Sequence, residues 1–195
     1  MRNGPATEAK ILAAAERLFA RHGFDSVSTK QIAAAAGIAI GALYHHFPSK
    51  ESLYFAATKR AFAAKSIPPA AVMESLDPPE QQLTQLIAWF VGTFVMDKNF
   101  GLLLKRELLD PRPSTSRLVD KDLFQQPLER TKLLLRQLAP HADADEAVAS
   151  MLALLFGFAN LKGIYAILPS VRKSLTSPEL IAQRVTDLLL RGICA

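Results

Sequence analysis

The stretch STKQIAAAAGIAIGALYHHFPSKESL, residues 28–53, decides the fold. It contains Ser28 and Gln31 at the spacing of a capping box, in which each side chain satisfies a backbone N–H, so a helix is predicted to begin there. Gly37 predicts the end of this helix, because glycine adopts a left-handed backbone without steric cost. A second short helix is predicted over about residues 40–47, before a proline. Two short helices that meet at a glycine, with small alanines at their crossing, predict a helix-turn-helix, whose second helix can enter a DNA major groove.

Amphipathic helices are predicted on both sides of this motif. Before it, apolar residues at positions 11, 12, 15, 18 and 19 form one stripe of a helix over about residues 7–22. After it, Ser49 is the predicted N-cap of a fourth helix over about residues 50–65, which two prolines end. The rest of the chain also has helical periodicity, so the predicted fold class is all-α. The predicted organisation is a helix-turn-helix domain at 1–48, a connecting helix at 49–65 and a helical domain at 66–195.

The positive charge of the chain is concentrated in its first third. The net charge is +5, from 23 Lys and Arg against 18 Asp and Glu. Residues 1–65 hold nine basic and four acidic side chains, whereas residues 66–195 hold fourteen of each. This asymmetry predicts a polyanionic partner for the N-terminal part, and a chance fluctuation of charge is the alternative.

Residues 7–55 resemble the tetracycline-repressor (TetR) family of bacterial transcriptional regulators. The resemblance is carried by IAxxAG at 32–37, GALYHHF at 41–47 and SKExL at 49–53. FARHGF at 19–24, the end of the apolar first helix, supports it. The resemblance implies binding to double-stranded operator DNA. The positions that it implies as DNA-facing are Thr29, Lys30, Ala39, Gly41, Tyr44, His45, His46 and Lys50.

The chemistry of these side chains is compatible with that role. Lys30 and Lys50 are cations near helix N-termini and can reach phosphates, where the helix dipole also favours an anion. Gly41 has no side chain, so the recognition helix can lie close to the base edges. Tyr44 can place its ring in the groove and its hydroxyl on a phosphate, and the histidines can bond to phosphates or bases. A core tyrosine and a merely solvated Lys50 are the alternatives.

The recognition helix departs from the family pattern at its start. The family often has a polar pair there, whereas this chain has Ala39 and Ile40, which cannot form a hydrogen bond to a base. Base reading is therefore expected to depend on His45, Tyr44 and DNA shape. Leu43 and Phe47 are predicted to be core residues. No third ligand accompanies the adjacent histidines, whose side chains diverge by about 100° on a helix, so no metal site is predicted.

For the last two-thirds, the resemblance implies a helical domain that binds a small molecule and forms a homodimer. Helices are predicted at about 78–95, 99–109, 118–124, 128–138, 146–168 and 179–193, with a loop at 110–116. The helix at 146–168 is apolar nearly all round and must be covered on every side. It is expected to pair with 179–193 and with the same helices of a second subunit, and burial within one chain is the alternative. A symmetric dimer predicts a palindromic operator.

Aromatic side chains of the middle helices are candidates for an effector pocket, although each can equally be plain core. Arg106 and Glu107, on an apolar helix, could supply a polar anchor there, and an exposed salt-bridged pair is the alternative. The expected effector is apolar or aromatic with one polar group. The predicted pocket residues are Trp89, Phe90, Phe94, Phe100, Leu103, Arg106, Phe124, Phe158 and Tyr165.

Several function classes are disfavoured by the sequence. It has no GxSxG, Walker loop, paired-cysteine site or HExxH, so we expect neither an enzyme nor a cofactor. The single Cys194 fits a reducing cytoplasm, no signal peptide is expected, and the apolar stretch 147–169 is interpreted as a buried helix rather than a membrane span. The predicted function is a ligand-controlled repressor. The alternatives are an effector-independent architectural DNA-binding protein, an activator, and an all-α enzyme without a sequence signature.

Overall fold

A computed structural model describes residues 4–109, 115, 124–165, 167–169 and 177–193 of the chain. Regular secondary structure in these ranges is helical, which confirms the predicted all-α fold class. The predicted helix at 118–124, except for Phe124, and Cys194 lie outside the described residues. The helices are α1 (Gly4–His22), α2 (Thr29–Ala36), α3 (Ile40–His46), α4 (Lys50–Ala63), α5 (Ala70–Met73), α6 (Pro79–Phe90), a π-helical turn (Val91–Met96), α7 (Lys98–Leu109), α8 (Gln125–Leu138), α9 (Ala144–Asn160), α10 (Lys162–Tyr165) and α11 (Pro178–Ile193).

The described residues form two compact units. The first, which we call the head unit, contains 4–66, 102–109 and 115, and the second contains 67–101, 124–165, 167–169 and 177–193. In the head unit α1 packs against α2 and α4, and α2 packs against α3. Its core is formed by buried apolar side chains on these helices, among them Ile11, Ala15, Phe19, Ile32, Leu43, Leu53, Ala57 and Phe62.

The turn between α2 and α3 has the local chemistry that the sequence predicts. The Ser28 hydroxyl accepts from the Gln31 N–H at 3.2 Å, and the Ser28 N–H donates to Gln31 Oε1 at 2.8 Å, which confirms the capping box. Gly37 has φ 69° and ψ 36°, a conformation that disfavours a Cβ, and the following N–H of Ile38 donates to Ala33 O at 3.0 Å. This pairing closes the C-terminus of α2 and directs the chain into α3.

In the second unit α6 packs against α5, α8 and α11, and α9 packs against α8 and α11. Their apolar faces form one core, because each helix carries buried side chains at helical spacing. Its fully buried members include Leu83, Leu86, Ile87 and Phe90. In the part of the chain that the structure describes, no single helix is long and apolar enough to span a membrane. One bent pair of helices, Pro79–Met96 and Lys98–Leu109, reaches the required length and composition only when the two are taken together.

The prediction of one continuous helix over 146–168 is wrong, because α9 ends at Asn160 and α10 begins at Lys162. The Asn160 side chain donates to Phe156 O at 2.8 Å, so it competes with the backbone donors of the last turn. Leu161, with φ −94° and ψ 22°, then leaves the α-helical path.

The helix predicted over 78–95 also changes form before its end. It continues from α6 into the π-helical turn Val91–Met96, where the hydrogen-bonding pattern widens by one residue. Directly beyond this turn, a Cβ on Gly101 would collide with the Phe94 carbonyl oxygen. The first turn of α7 can therefore approach Phe94 only with glycine at position 101.

Candidate nucleic-acid interface

The outward face of α3 is defined by the two side chains that bury its other face. Leu43 is fully buried and Phe47, directly after the helix, is nearly so, as predicted from their apolar character. A rotation of about 100° per residue puts Gly41, Ala42 and His45 on the opposite face, and all three are exposed. Ala42 was not among the sequence-predicted positions, although the same periodicity could have identified it.

The backbone of α3 is bare at Gly41. A Cβ built there meets no atom within 4 Å, so the fold of the head unit does not require glycine at this position. Glycine is also an unfavourable residue inside a helix. The absent side chain therefore leaves space on the exterior for a partner to approach the helix backbone.

Tyr44 connects this face to the start of α2. Its side chain is 48% exposed, so it is not a core tyrosine. Its hydroxyl lies 3.0 Å from Thr29 Oγ1, a hydrogen bond in which either oxygen can donate. Thr29 is half-buried, and the adjacent Lys30 is exposed at the N-terminal turn of α2. The hydroxyl pair of Thr29 and Tyr44, with Lys30 next to it in the sequence, thus lies at one edge of the α3 face.

Lys50 is the first residue of α4 and has an ordered aromatic neighbour. Ser49 caps the helix by accepting from the Ser52 N–H at 3.0 Å. The Lys50 Nζ lies 4.2 Å from the centre of the Phe24 ring, a cation–π contact that holds the half-buried side chain. This contact argues against a freely solvated lysine.

The remaining predicted DNA-facing residues lie around the same helix. Ala39 is exposed and is the N-cap of α3, without a side-chain cap, and Ile40 is 42% exposed. His46 is half-buried, and its ring centre lies 5.8 Å from that of His45. Among the described residues no group of three or more His, Cys, Asp or Glu could hold a metal ion.

The sequence-predicted pocket residues separate into three places. Five aromatic rings of the second unit form a chain of contacts with centre-to-centre distances between 4.7 and 6.1 Å. Phe158 of α9 and Tyr165 of α10 pair with each other, with ring centres 5.6 Å apart. Leu103 and Arg106 belong to the head unit. The five-ring cluster consists of Trp89, Phe90, Phe94, Phe100 and Phe124.

Arg106 and Glu107 are engaged within the head unit. Arg106 Nε donates to Ala20 O at 3.2 Å and its Nη2 donates to Arg21 O at 3.4 Å, so the guanidinium caps the C-terminus of α1. Glu107 is buried, so the two residues are not an exposed salt-bridged pair. Sequence reasoning missed these contacts because Arg106 and its partners are more than 80 residues apart.

A groove of about 580 Å³ lies on the surface of the second unit. Its walls are mainly apolar and come from α9, α10 and α11. The lining residues are Ser150, Ala153, Leu154, Gly157, Phe158, Leu161, Tyr165, Leu188, Leu189 and Gly192.

Comparison with known proteins agrees with this architecture. Residues 11–57 match the family described as bacterial regulatory proteins, tetR family. The HTH-type transcriptional repressor NicS of Pseudomonas putida is 30% identical over 103 residues, which cover 53% of this chain and 49% of NicS. The chain thus spans about half the length of this curated relative.

Several solved structures resemble nearly the whole chain. NalD, the secondary repressor of the MexAB-OprM multidrug efflux pump in Pseudomonas aeruginosa, is 25% identical with a TM-score of 0.63, covering 99% of this chain and 98% of NalD. The transcriptional regulator FadR of Bacillus subtilis, in complex with stearoyl-CoA, is 16% identical with a TM-score of 0.67, covering 95% and 98%. The latter likeness shows the fold alone.

The fold and the exposed face of α3 define an all-α protein with an N-terminal helix-turn-helix domain of the DNA-binding type. Residues 11–57 of the chain, which include this domain's helix-turn-helix, match the tetR family of bacterial regulatory proteins.

Proposed function

We propose that this chain is a transcriptional repressor that binds a palindromic operator as a homodimer and is released by a small apolar or aromatic effector. The observation that carries the proposal is the bare, exposed face of α3 at Gly41, Ala42 and His45. The cations Lys30 and Lys50 lie at helix N-termini in the same unit. The NicS and NalD names support a repressor rather than an activator.

The side chains of the head unit divide into two roles. Lys30 and Lys50, with the Thr29–Tyr44 hydroxyl pair, contact phosphates and fix the register on the duplex. His45 contacts base edges, and Gly41 allows the close approach that this contact needs. Ala39 and His46 border the same surface, where they contact the groove wall.

Exposed apolar surface on the second unit supports the homodimer. Leu152, Phe156 and Leu188 are exposed on α9 and α11, next to the 580 Å³ groove. A large exposed apolar patch normally marks an interface with another protein, and these side chains are candidates for one. We propose that α9 and α11 pair with their copies in a second subunit as a four-helix bundle. The two recognition helices then occupy half-sites about 34–36 Å apart.

The five-ring cluster supports an apolar effector, because aromatic walls are typical of small-molecule pockets. Trp89, Phe94 and Phe124 are only half-buried, so their rings retain surface that a ligand can cover. FadR, which has a similar fold, was solved with stearoyl-CoA, whose acyl chain is apolar, so acyl-CoA thioesters are one group of probes to test. In the proposed mechanism the effector favours a separation of the two heads that does not match the half-sites, so operator affinity falls.

The test is selection of bound fragments from genomic DNA, beginning with the region upstream of the chain's own gene, followed by titration of the best fragment. Lys30→Ala and Lys50→Ala should each reduce the slope of log affinity against log salt by about 0.9, because one phosphate contact is lost. Lys98→Ala, an exposed lysine of the second unit, is the matched control. Failure to select any palindromic fragment, or unchanged slopes in both variants, would refute the DNA-binding proposal.

An effector-independent architectural DNA-binding protein is the second candidate. Phe90 and Phe100, two of the five rings, are completely buried, and such solid packing favours a domain without a cavity. Thermal shift against a panel of acyl-CoA thioesters and aromatic acids distinguishes the two, because a ligand at 100 times its Kd stabilises the fold by about 2.7 kcal/mol. A shift accompanied by operator release supports the sensor. The absence of a shift with every ligand of the panel favours the architectural candidate, and tight binding without operator release contradicts the proposed release mechanism.

A further inference from the structure

Glu107 is a buried acidic side chain whose position the proposed function does not explain. It lies on α7 and is 1% exposed. One carboxylate oxygen accepts from the Tyr54 hydroxyl, and the other accepts from the Thr115 hydroxyl. A carboxyl group is costly to bury unless its oxygens are hydrogen-bonded, so the hydroxyls of Tyr54 and Thr115 compensate for the burial of Glu107. Glu107 therefore fixes the Tyr54 hydroxyl.

Tyr54 in turn contacts the aromatic support of Lys50. Its ring lies edge-on against Phe24, with centres 5.1 Å apart and planes at 79°, and edge-on against Phe19, with centres 4.9 Å apart. Phe24 carries the Lys50 ammonium on its ring at 4.2 Å. A continuous series of contacts thus joins the α7 carboxylate to a cation at the start of α4.

We propose that Glu107 and Tyr54 are positioning residues that set the phosphate contact of Lys50 through the Phe24 ring. The inference deepens the proposed function and rests on it, since it assigns Lys50 to a DNA phosphate. Edge-on packing restricts the Phe24 ring, and the attraction between a cation and a ring face is directional, so the ring orientation fixes the ammonium position. A shift of Tyr54 moves this ammonium and leaves the α3 face unchanged.

The neighbouring residue strengthens this arrangement. Arg106 donates to the carbonyls of Ala20 and Arg21 at the end of α1, and its guanidinium lies against Gly23, the residue before Phe24. Two consecutive residues of α7 therefore act next to Phe24: Arg106 lies against the preceding residue, Gly23, and Glu107 holds Tyr54, whose ring packs on Phe24. This gives α7 control over phosphate affinity that is separate from base reading.

A double-mutant cycle on operator binding tests the inference, because contacts in series give non-additive effects. Tyr54→Phe removes only the hydroxyl that Glu107 holds. We expect it to weaken operator binding about threefold, the scale of an exposed cation–π contact. The same substitution should have no further effect in a Lys50→Ala background and its full effect in a Lys30→Ala background. Lys30, on α2, is the matched phosphate-contact control.

Two further variants keep the test decisive. Phe24→Leu removes the aromatic face and should reproduce the effect of Tyr54→Phe, also only when Lys50 is present. Lys50→Arg retains a cation and should retain sensitivity to Tyr54→Phe. Thermal unfolding confirms that each variant is folded, and an unfolded Tyr54→Phe protein is replaced in the cycle by Phe24→Leu.

Each outcome has one meaning. Effects of Tyr54→Phe and Lys50→Ala that simply add, or an unchanged affinity in folded Tyr54→Phe, overturn the inference while the Lys30→Ala loss still supports DNA binding. Loss of operator binding that is equal in the Lys30→Ala and Lys50→Ala backgrounds also overturns it, because it indicates a general structural effect. A wild-type protein that binds no DNA overturns the proposed function and this inference together.

Discussion

Gly41→Ala is expected to stabilise the protein and to abolish most of its specific DNA binding. The new methyl group meets no protein atom within 4 Å, so it causes no strain. Alanine is about 0.5–1 kcal/mol more favourable than glycine inside a helix, which for a chain of this length raises the melting temperature by about 1–4 °C. On the DNA side, the methyl group lies on the α3 face and separates the helix from the base edges. Loss of one good base contact costs about 1–3 kcal/mol, which lowers affinity by roughly 5- to 150-fold.

Gly37→Ala is the control with the opposite effect on stability. Gly37 has φ 69°, where a side chain costs about 1–2 kcal/mol, so the melting temperature falls. A domain with a stability of about 5–15 kcal/mol nevertheless remains almost entirely folded after that loss, and its operator affinity should stay near that of wild type. Differential scanning fluorimetry and fluorescence anisotropy with labelled operator measure the two quantities on the same samples.

For Gly41→Ala we expect a higher melting temperature together with a lower operator affinity. Wild-type operator affinity in Gly41→Ala would show that α3 does not approach the duplex closely at this position. A lower melting temperature in Gly41→Ala would show that the glycine serves the fold rather than the partner. Either result would refute the interpretation of the bare α3 face.

Three further predictions concern the second unit. Leu188→Glu places a charge on the exposed apolar face of α11 and should convert a dimer to a monomer in analytical ultracentrifugation; a persistent dimer would locate the interface elsewhere. Gly101→Ala forces a Cβ against the Phe94 carbonyl and should destabilise the fold by about 1–3 kcal/mol in urea unfolding, and an unchanged midpoint would contradict the close approach. The Lys132 ammonium, 2.6 Å from Asp145, lowers the pKa of that carboxyl mainly through a hydrogen bond. The stability that this ion pair contributes is present above the unfolded pKa of Asp145 and is lost as pH falls through the lower folded pKa. Asp145→Asn should therefore lower the free energy of unfolding only slightly at neutral pH, because the pair is exposed. This loss should decrease with added salt and be absent in strong acid.

The turn between α2 and α3 was predictable from the sequence because its determinants are local. Ser28 and Gln31 are three residues apart, and Gly37 ends its helix through its own backbone conformation. Local signals of this kind need no knowledge of distant contacts. The same holds for Leu43 and Phe47, whose four-residue spacing assigns them to one face.

The contacts of α7 could not be predicted because their determinants are distant in sequence. Glu107 pairs with Tyr54 across 53 residues, and Arg106 reaches Ala20 across 86. On the sequence alone the two charges fit an effector pocket or a surface ion pair equally well. Only the folded chain shows that one caps α1 and the other is buried against α4. The end of α9 at Asn160 could not be predicted for a different reason. The apolar periodicity of the sequence continues past Asn160, and a hydrophobic pattern does not show the hydrogen bond that the Asn160 side chain makes to the backbone.

The composition of α3 bears on how such a protein achieves specificity. The helix IGALYHH has no arginine, asparagine or glutamine, which are the side chains that make bidentate contacts to bases. In the proposed function each head therefore has few direct means of base discrimination, and its affinity comes mainly from phosphates. In the proposed dimer, two heads at a fixed separation compensate for this, because only DNA with two half-sites at the right spacing satisfies both sets of phosphate contacts. In the same proposal, Tyr54 and Glu107 act through Lys50 on the phosphate contribution, which is the stronger of the two. Because a homodimer has one such lysine in each subunit, a displacement of the ammonium changes the free energy of operator binding twice.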